Sequence, residues 1–198
     1  MPKGRRVRRD GADRTLPAAV FLVGYMGAGK TTVGRIMAKQ LGWEFLDLDE
    51  RVERRHGQRV ATIFRNSGEA FFRDLEHAEL RRLLESASSG TAMVAAMGGG
   101  AMAQPRNLAL LRRYKFPVVF LDAPVETLRR RCLKQTSQGN MERPLLGTMA
   151  EFRARYAARR TFYQQASRRV HTEGRRASSI ASQLITSLRL VAREGSEN

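Results

Sequence analysis

Residues 18–31, AAVFLVGYMGAGKT, constrain this chain more than any other stretch. An apolar run ends in glycine, a glycine-rich turn follows, and apolar residues then recur at Val33, Ile36, Met37 and Leu41 with helical spacing. That order predicts a buried strand, a tight loop and a helix. The loop itself matches G-x-x-x-x-G-K-[ST] from Gly24 to Thr31. Gly24, Gly27 and Gly29 let the backbone curl so that successive N–H groups point inward, and the helix N-terminus adds positive potential. Lys30 can reach β- and γ-phosphates, and the Thr31 hydroxyl can ligate Mg²⁺. The loop implies a nucleoside triphosphate and leaves the acceptor open.

Further along, the pattern alternates. Strands are expected at 18–24, 43–49, 92–101, 117–123 and 167–174. Helices are expected at 31–42, across most of 50–85 with breaks at Gly57 and at Asn66–Gly68, and at 105–114, 125–133, 151–166 and 178–193. Such alternation predicts an α/β domain over 18–193. A central parallel five-stranded sheet would lie between two layers of helices, with ligands at the carboxyl ends of the strands.

Five more motifs follow along the chain. Asp47 and Asp49, in DLD, alternate as strand residues and so share one side. Two carboxylates there can divide phosphoryl transfer, one organising Mg²⁺ and one deprotonating an acceptor hydroxyl. Gly98, Gly99 and Gly100 directly follow an apolar strand, which fits a ligand lying against the backbone. Residues 134–150 hold Gly139, Pro144 and Gly147 and read as a mobile lid, on which Arg143 could close over ATP. Arg159 or Arg160 could grip a carboxylate in a bidentate fork. Arg73, in GEAFFRDLE, reads equally well as a surface partner of Glu69 or Glu76. Asp122 ends another apolar strand and could mimic the acidic residue of a motor ATPase, but the body of such an enzyme is missing.

Composition narrows the rest. The net charge is +17, from 36 basic and 19 acidic residues, with the excess on residues 1–17 and on the second half. Such a field attracts phosphates, but solvated helix faces account for it, and nucleic acid is not expected as a partner. The basic arm 1–17 is expected to be disordered. Cys132 is the one cysteine and the histidines are dispersed, so neither a disulfide nor a zinc site is expected. There is no signal-like apolar core or membrane-length apolar run, and the chain is expected to be cytoplasmic.

Taken in order, the phosphate loop, DxD, GExxFRxxE, GGG, RPLL and a late RxxxY resemble the shikimate kinases, from about Ala19 to Leu190. The resemblance implies a P-loop kinase fold with a mobile lid, ATP and shikimate as substrates, Mg²⁺ as cofactor and a monomer. It places the ATP phosphates on Gly27, Ala28, Gly29, Lys30, Thr31 and Thr32, with the metal at Thr31 and Asp47. Asp49 corresponds to the residue that binds the shikimate hydroxyls and acts as base. Lys30 and Arg143 would be the other catalytic groups. Arg73 and Arg159 would clamp the shikimate carboxylate, Gly98, Gly99 and Gly100 would form the substrate turn, and Arg176 would lie near adenine. Residues 50–85 would be the substrate-binding helices.

Two features depart from that pattern. The lid is longer, and ARRTFY lacks the usual proline. Arg159 is preferred over Arg160 because it stands four residues before Tyr163. A kinase for another polyol acid, such as gluconate, is the nearest competing reading. A nucleotide-sensing module without turnover is a more distant one, opposed by the complete set of Lys30, Thr31, Asp47, Asp49 and Arg143.

Overall fold

The computed structural model describes residues 17–137 and 147–192. Five strands, β1 (Ala19–Val23), β2 (Glu44–Asp47), β3 (Met93–Ala96), β4 (Val118–Asp122) and β5 (Arg168–His171), form one sheet in the order β2-β3-β1-β4-β5. Every pairing is parallel. β1, β3 and β4 are buried along their whole length, as expected of strands covered on both faces. Phe21, Leu22 and Val23 are each at most 1% exposed. Such side chains each stabilise by about 1.5–3 kcal/mol on burial.

Among the described residues, seven α-helices flank the sheet: α1 (Lys30–Leu41), α2 (Leu48–His56), α3 (Val60–Ser88), α4 (Pro105–Tyr114), α5 (Val125–Ser137), α6 (Met149–Tyr163) and α7 (Ala177–Ser187). α1 packs on α7 and across β2 and β3, while α3 packs on α4 and α5 on α6. The main core is joined by a second, smaller apolar cluster of Val52, Ile63 and Phe72 between α2 and α3.

Several boundaries differ from the sequence expectation, each for a local reason. β2 ends at Asp47 rather than running to 49, because the Asp47 side chain accepts a hydrogen bond from the Asp49 backbone and caps α2. Asp49 therefore sits in the first turn of a helix, not on a strand. Gly57 ends α2 in the left-handed conformation, as expected. Gly68, at φ 79° and ψ 173°, lies outside the helical region, so α3 is two helical segments that meet at a kink there, where a break was expected.

Three helices later in the chain also shift. α5 runs on to Ser137 into the expected lid. α6 begins at Met149 because Thr148 and Glu151 form a reciprocal capping box. α7 stops at Ser187, six residues early. Arg189 turns left-handed at φ 54°, and Leu190 N–H reaches back to the Ile185 carbonyl at 3.0 Å, which buries Leu190. The expected basic arm, except Pro17, the lid residues 138–146 and the tail from 193 lie outside the described residues.

Candidate active site

The phosphate loop joins β1 to α1. Gly24, Gly27 and Gly29 have φ of 143°, 80° and 92°, a region that side chains other than glycine rarely adopt. Gly24 also has no room for one, since a methyl group there would lie 2.6 Å from the Leu121 carbonyl oxygen. Ala28 is buried under the loop, and Thr32 is exposed in the first turn of α1. Lys30 Nζ donates to the Gly24 carbonyl at 2.8 Å and the Tyr25 carbonyl at 3.3 Å, so its ammonium group lies over the loop.

Thr31 Oγ1 donates to Asp47 Oδ2 at 3.3 Å. These are two hard oxygen donors at a loop built for phosphates, and no cluster of three or more His, Cys, Asp or Glu side chains that could hold a metal lies among the described residues. The pair fits a divalent cation carried largely by phosphates and water rather than by a protein cage.

Next to this pair stands Asp49. Burial raises its carboxyl from 3.8 to about 7, and the nearby Asp47 and Glu76 carboxylates push the same way against Lys30 and Arg73. A carboxylate that titrates near neutrality suits a general base.

The three glycines after β3 form a wall on which the acceptor side chains converge. A methyl group at Gly98 would lie 2.6 Å from Asp49 Oδ1 and 2.9 Å from Glu76 Oε1. One at Gly100 would lie 2.5 Å from the Arg73 guanidinium, and one at Gly99 would lie 3.4 Å from Arg159. The Gly99 carbonyl accepts the Tyr163 hydroxyl. Glycine at 98 and 100 lets three charged side chains, Asp49, Glu76 and Arg73, approach the backbone closely, and Arg159 stands beside Gly99.

Arg73 satisfies both sequence readings at once. It donates to Glu69 at 2.8 and 3.1 Å and to Glu76 at 3.0 Å, and it is also one of the groups at the glycine wall. Glu76 is fully buried, and burial pushes its carboxyl up against the pull of Arg73 and Arg159. Its Oε1 has no hydrogen-bond partner among the described residues.

The two candidate arginines of α6 separate cleanly. Arg159 lies over the Tyr25 ring at 5.7 Å and beside Gly99. Arg160 points instead to Asp122, 3.7 Å away. Asp122 is also held by Arg169 and accepts the Tyr156 hydroxyl at 2.7 Å, so it is a structural carboxylate and no mimic of a motor ATPase acid. Arg176 is exposed at the N-cap of α7. Arg143 lies outside the described residues.

Sequence reasoning gave too little weight to three residues. Glu76 was visible only as a possible surface partner of Arg73. Tyr163 served only to mark register. Arg131 carried no signal, yet it donates to the Gly27 carbonyl at 3.3 Å and to Thr172 Oγ1 and O at 2.9 and 2.8 Å. It thereby ties the phosphate loop to the turn that leads to Arg176.

A phosphate loop, an oxygen pair for a cation, a carboxylate poised near neutrality and two guanidinium groups at the acceptor wall together define a P-loop kinase for a small anionic acceptor. The shikimate kinase family model matches residues 26–189. A shikimate kinase of Persephonella marina is 36% identical over 171 residues, covering 86% of this chain and 98% of its own length. One of Symbiobacterium thermophilum is 41% identical over 173 residues, covering 85% and 95%. Among solved structures, the shikimate kinase of Acinetobacter baumannii in complex with shikimate matches at TM-score 0.76 and 37% identity, over 88% of this chain and 94% of that one. This chain belongs to the shikimate kinase family.

Proposed function

We propose that this enzyme transfers the γ-phosphoryl group of ATP to the 3-hydroxyl of shikimate, giving shikimate 3-phosphate and ADP. The observation that carries this reading is the convergence on Gly98–Gly100 of Asp49 with Arg73 and Arg159, beside Lys30. Two guanidinium groups suit a carboxylate, and Asp49 suits the hydroxyls of the same ring.

Arg73 and Arg159 hold the shikimate carboxylate and so fix the ring against the glycine wall. Asp49 accepts the proton of the 3-hydroxyl as its oxygen attacks the γ-phosphorus. The bond from that phosphorus to the β–γ bridging oxygen breaks, and ADP leaves with the electron pair. Gly27 to Thr32 cradle the phosphates with backbone N–H groups, and Lys30 swings from the Gly24 and Tyr25 carbonyls to the transferring group. Thr31 and Asp47 hold Mg²⁺, which neutralises phosphate charge when bound. The helices α2 and α3 form the acceptor side, and Arg143 is the further residue assigned to the ATP phosphates. Arg176 faces adenine. The enzyme works as a cytoplasmic monomer. No helix among the described residues is long and apolar enough to cross a membrane.

Phosphorus NMR of the product tests the regiochemistry. A single phosphomonoester coupled to the proton at ring carbon 3 supports the reading, and one at carbon 4 or 5 overturns the orientation given to the ring.

A further inference from the structure

Behind the acceptor site, α2 and α3 share a charge cluster built around one buried carboxylate. Glu79 of α3 is 2% exposed. Its carboxylate meets three guanidinium groups: Arg82 at 2.6 Å, Arg51 at 3.4 Å, and Arg55. Arg51 and Arg55 lie one turn apart on α2, and Arg82 lies one turn beyond Glu79 on α3. A buried carboxylate is costly unless it is paired, and here most of the pairing comes from the neighbouring helix.

Its position connects this cluster to the acceptor side chains. Asp49 opens α2 two residues before Arg51. Glu76 and Arg73 precede Glu79 on α3 by three and six residues, so Glu76 neighbours both, one turn from each. Three other contacts join the same helix pair: Glu53 Oε1 accepts the Val60 N–H at 2.9 Å, Val52 packs with Ile63 and Phe72, and the His56 and Phe71 rings meet edge to face at 5.5 Å. The distance between the base and the carboxylate clamp therefore depends on how α2 is seated on α3. Among the described residues, Glu79 is the one buried charge that bridges them.

We infer that Glu79 is a positioning residue for phosphoryl transfer, clamping α2 to α3 and so setting the spacing of Asp49 from Arg73 and Glu76. It contacts no substrate. Its effect on turnover rests on the function proposed above; its effect on the helix pair does not.

Two readouts on Glu79→Gln test the inference. Arg55→Met serves as a second variant, since Arg55 is largely exposed and its loss leaves the buried carboxylate two partners. The first readout is amide hydrogen exchange. The exchange of α2 is expected to rise about tenfold in Glu79→Gln and less in Arg55→Met, with β1 and β4 unchanged. The second is steady-state kinetics. The KM for shikimate is expected to rise about tenfold with the KM for ATP within about twofold of the wild type, because a small displacement of positioned groups is costly. Leu84→Val, in the main core, is the control for general destabilisation and should leave both KM values unchanged.

Unchanged exchange in α2 overturns the clamp. An equal rise in both KM values, or the same rise in Leu84→Val, also overturns it and reduces Glu79 to general stability. If the wild-type enzyme does not phosphorylate shikimate, the function proposed above fails, and the exchange measurement still decides the clamp.

Discussion

Asp49 and Gly98 fit together so closely that a single methyl group would separate them: built on Gly98, it would stand 2.6 Å from Asp49 Oδ1. The base and the turn on which the acceptor rests therefore share one surface, and neither can move alone.

Gly98→Ala should displace Asp49 and Glu76 together. A shift of about 1 Å at a reacting group costs about 100-fold. The expected outcome is a fall of that order in kcat/KM for shikimate with nucleotide binding intact, read by steady-state kinetics and by titration with ADP.

Asp49→Asn should abolish general-base catalysis, a loss of about 10²–10⁴-fold in kcat. It should also stabilise the fold above neutrality. The folded-state carboxyl of Asp49 is raised from 3.8 to about 7, so it contributes stability that is complete below pH ~4 and is lost as pH rises through about 7. At pH 8 the wild type carries a charge crowded by Asp47 and Glu76, which asparagine removes. Thermal melts should show a higher Tm for the variant at pH 8, and the gap should close towards pH 4. The same shift predicts that wild-type kcat/KM for shikimate falls about tenfold per pH unit below pH 7.

How much of this was legible in the sequence follows from the range of the forces involved. The phosphate loop was legible because strand, glycines and helix are contiguous. The parallel sheet was legible because β1 and β3 are short, wholly apolar runs and β4 is one up to its final residue, Asp122. The start of α2 was misplaced because period-two alternation in FLDLD suggests a strand, whereas the Asp47 side chain bonds the Asp49 N–H and starts a helix. The start of α6 could have been found from Thr148 and Glu151, which are spaced as a capping box. Arg131 and Glu79 could not have been found. Arg82 stands one turn from Glu79, but the partners on other elements are far away in sequence, Thr172 for Arg131 and Arg51 and Arg55 for Glu79, and only the folded chain brings them together.

Arg159 and Arg160 should behave differently despite being adjacent. Arg159→Ala removes a group beside Gly99 and should raise the KM for shikimate about tenfold or more, the scale of a charge-assisted pair. Arg160→Ala loses a partly exposed pairing with Asp122, which Arg169 also holds, and should change stability by no more than about 1 kcal/mol. Kinetics and melts on both variants check this. A larger KM effect from Arg160→Ala would exchange their roles.

Lys30→Met should leave the fold intact, because the glycine conformations rather than the ammonium group shape the loop. The kcat should fall about 10²–10³-fold or more, as when a preorganised donor to developing charge is removed. Circular dichroism and single-turnover kinetics separate the two effects.

The most direct test is ADP release from ATP and Mg²⁺ in a coupled assay, run with shikimate, with gluconate and with neither. Release that depends on shikimate, and is at background level with gluconate or buffer, is the predicted result. Release that ignores shikimate but follows gluconate, or no release with any acceptor despite nucleotide binding, would contradict the assignment of Asp49, Arg73 and Arg159 to a shikimate site.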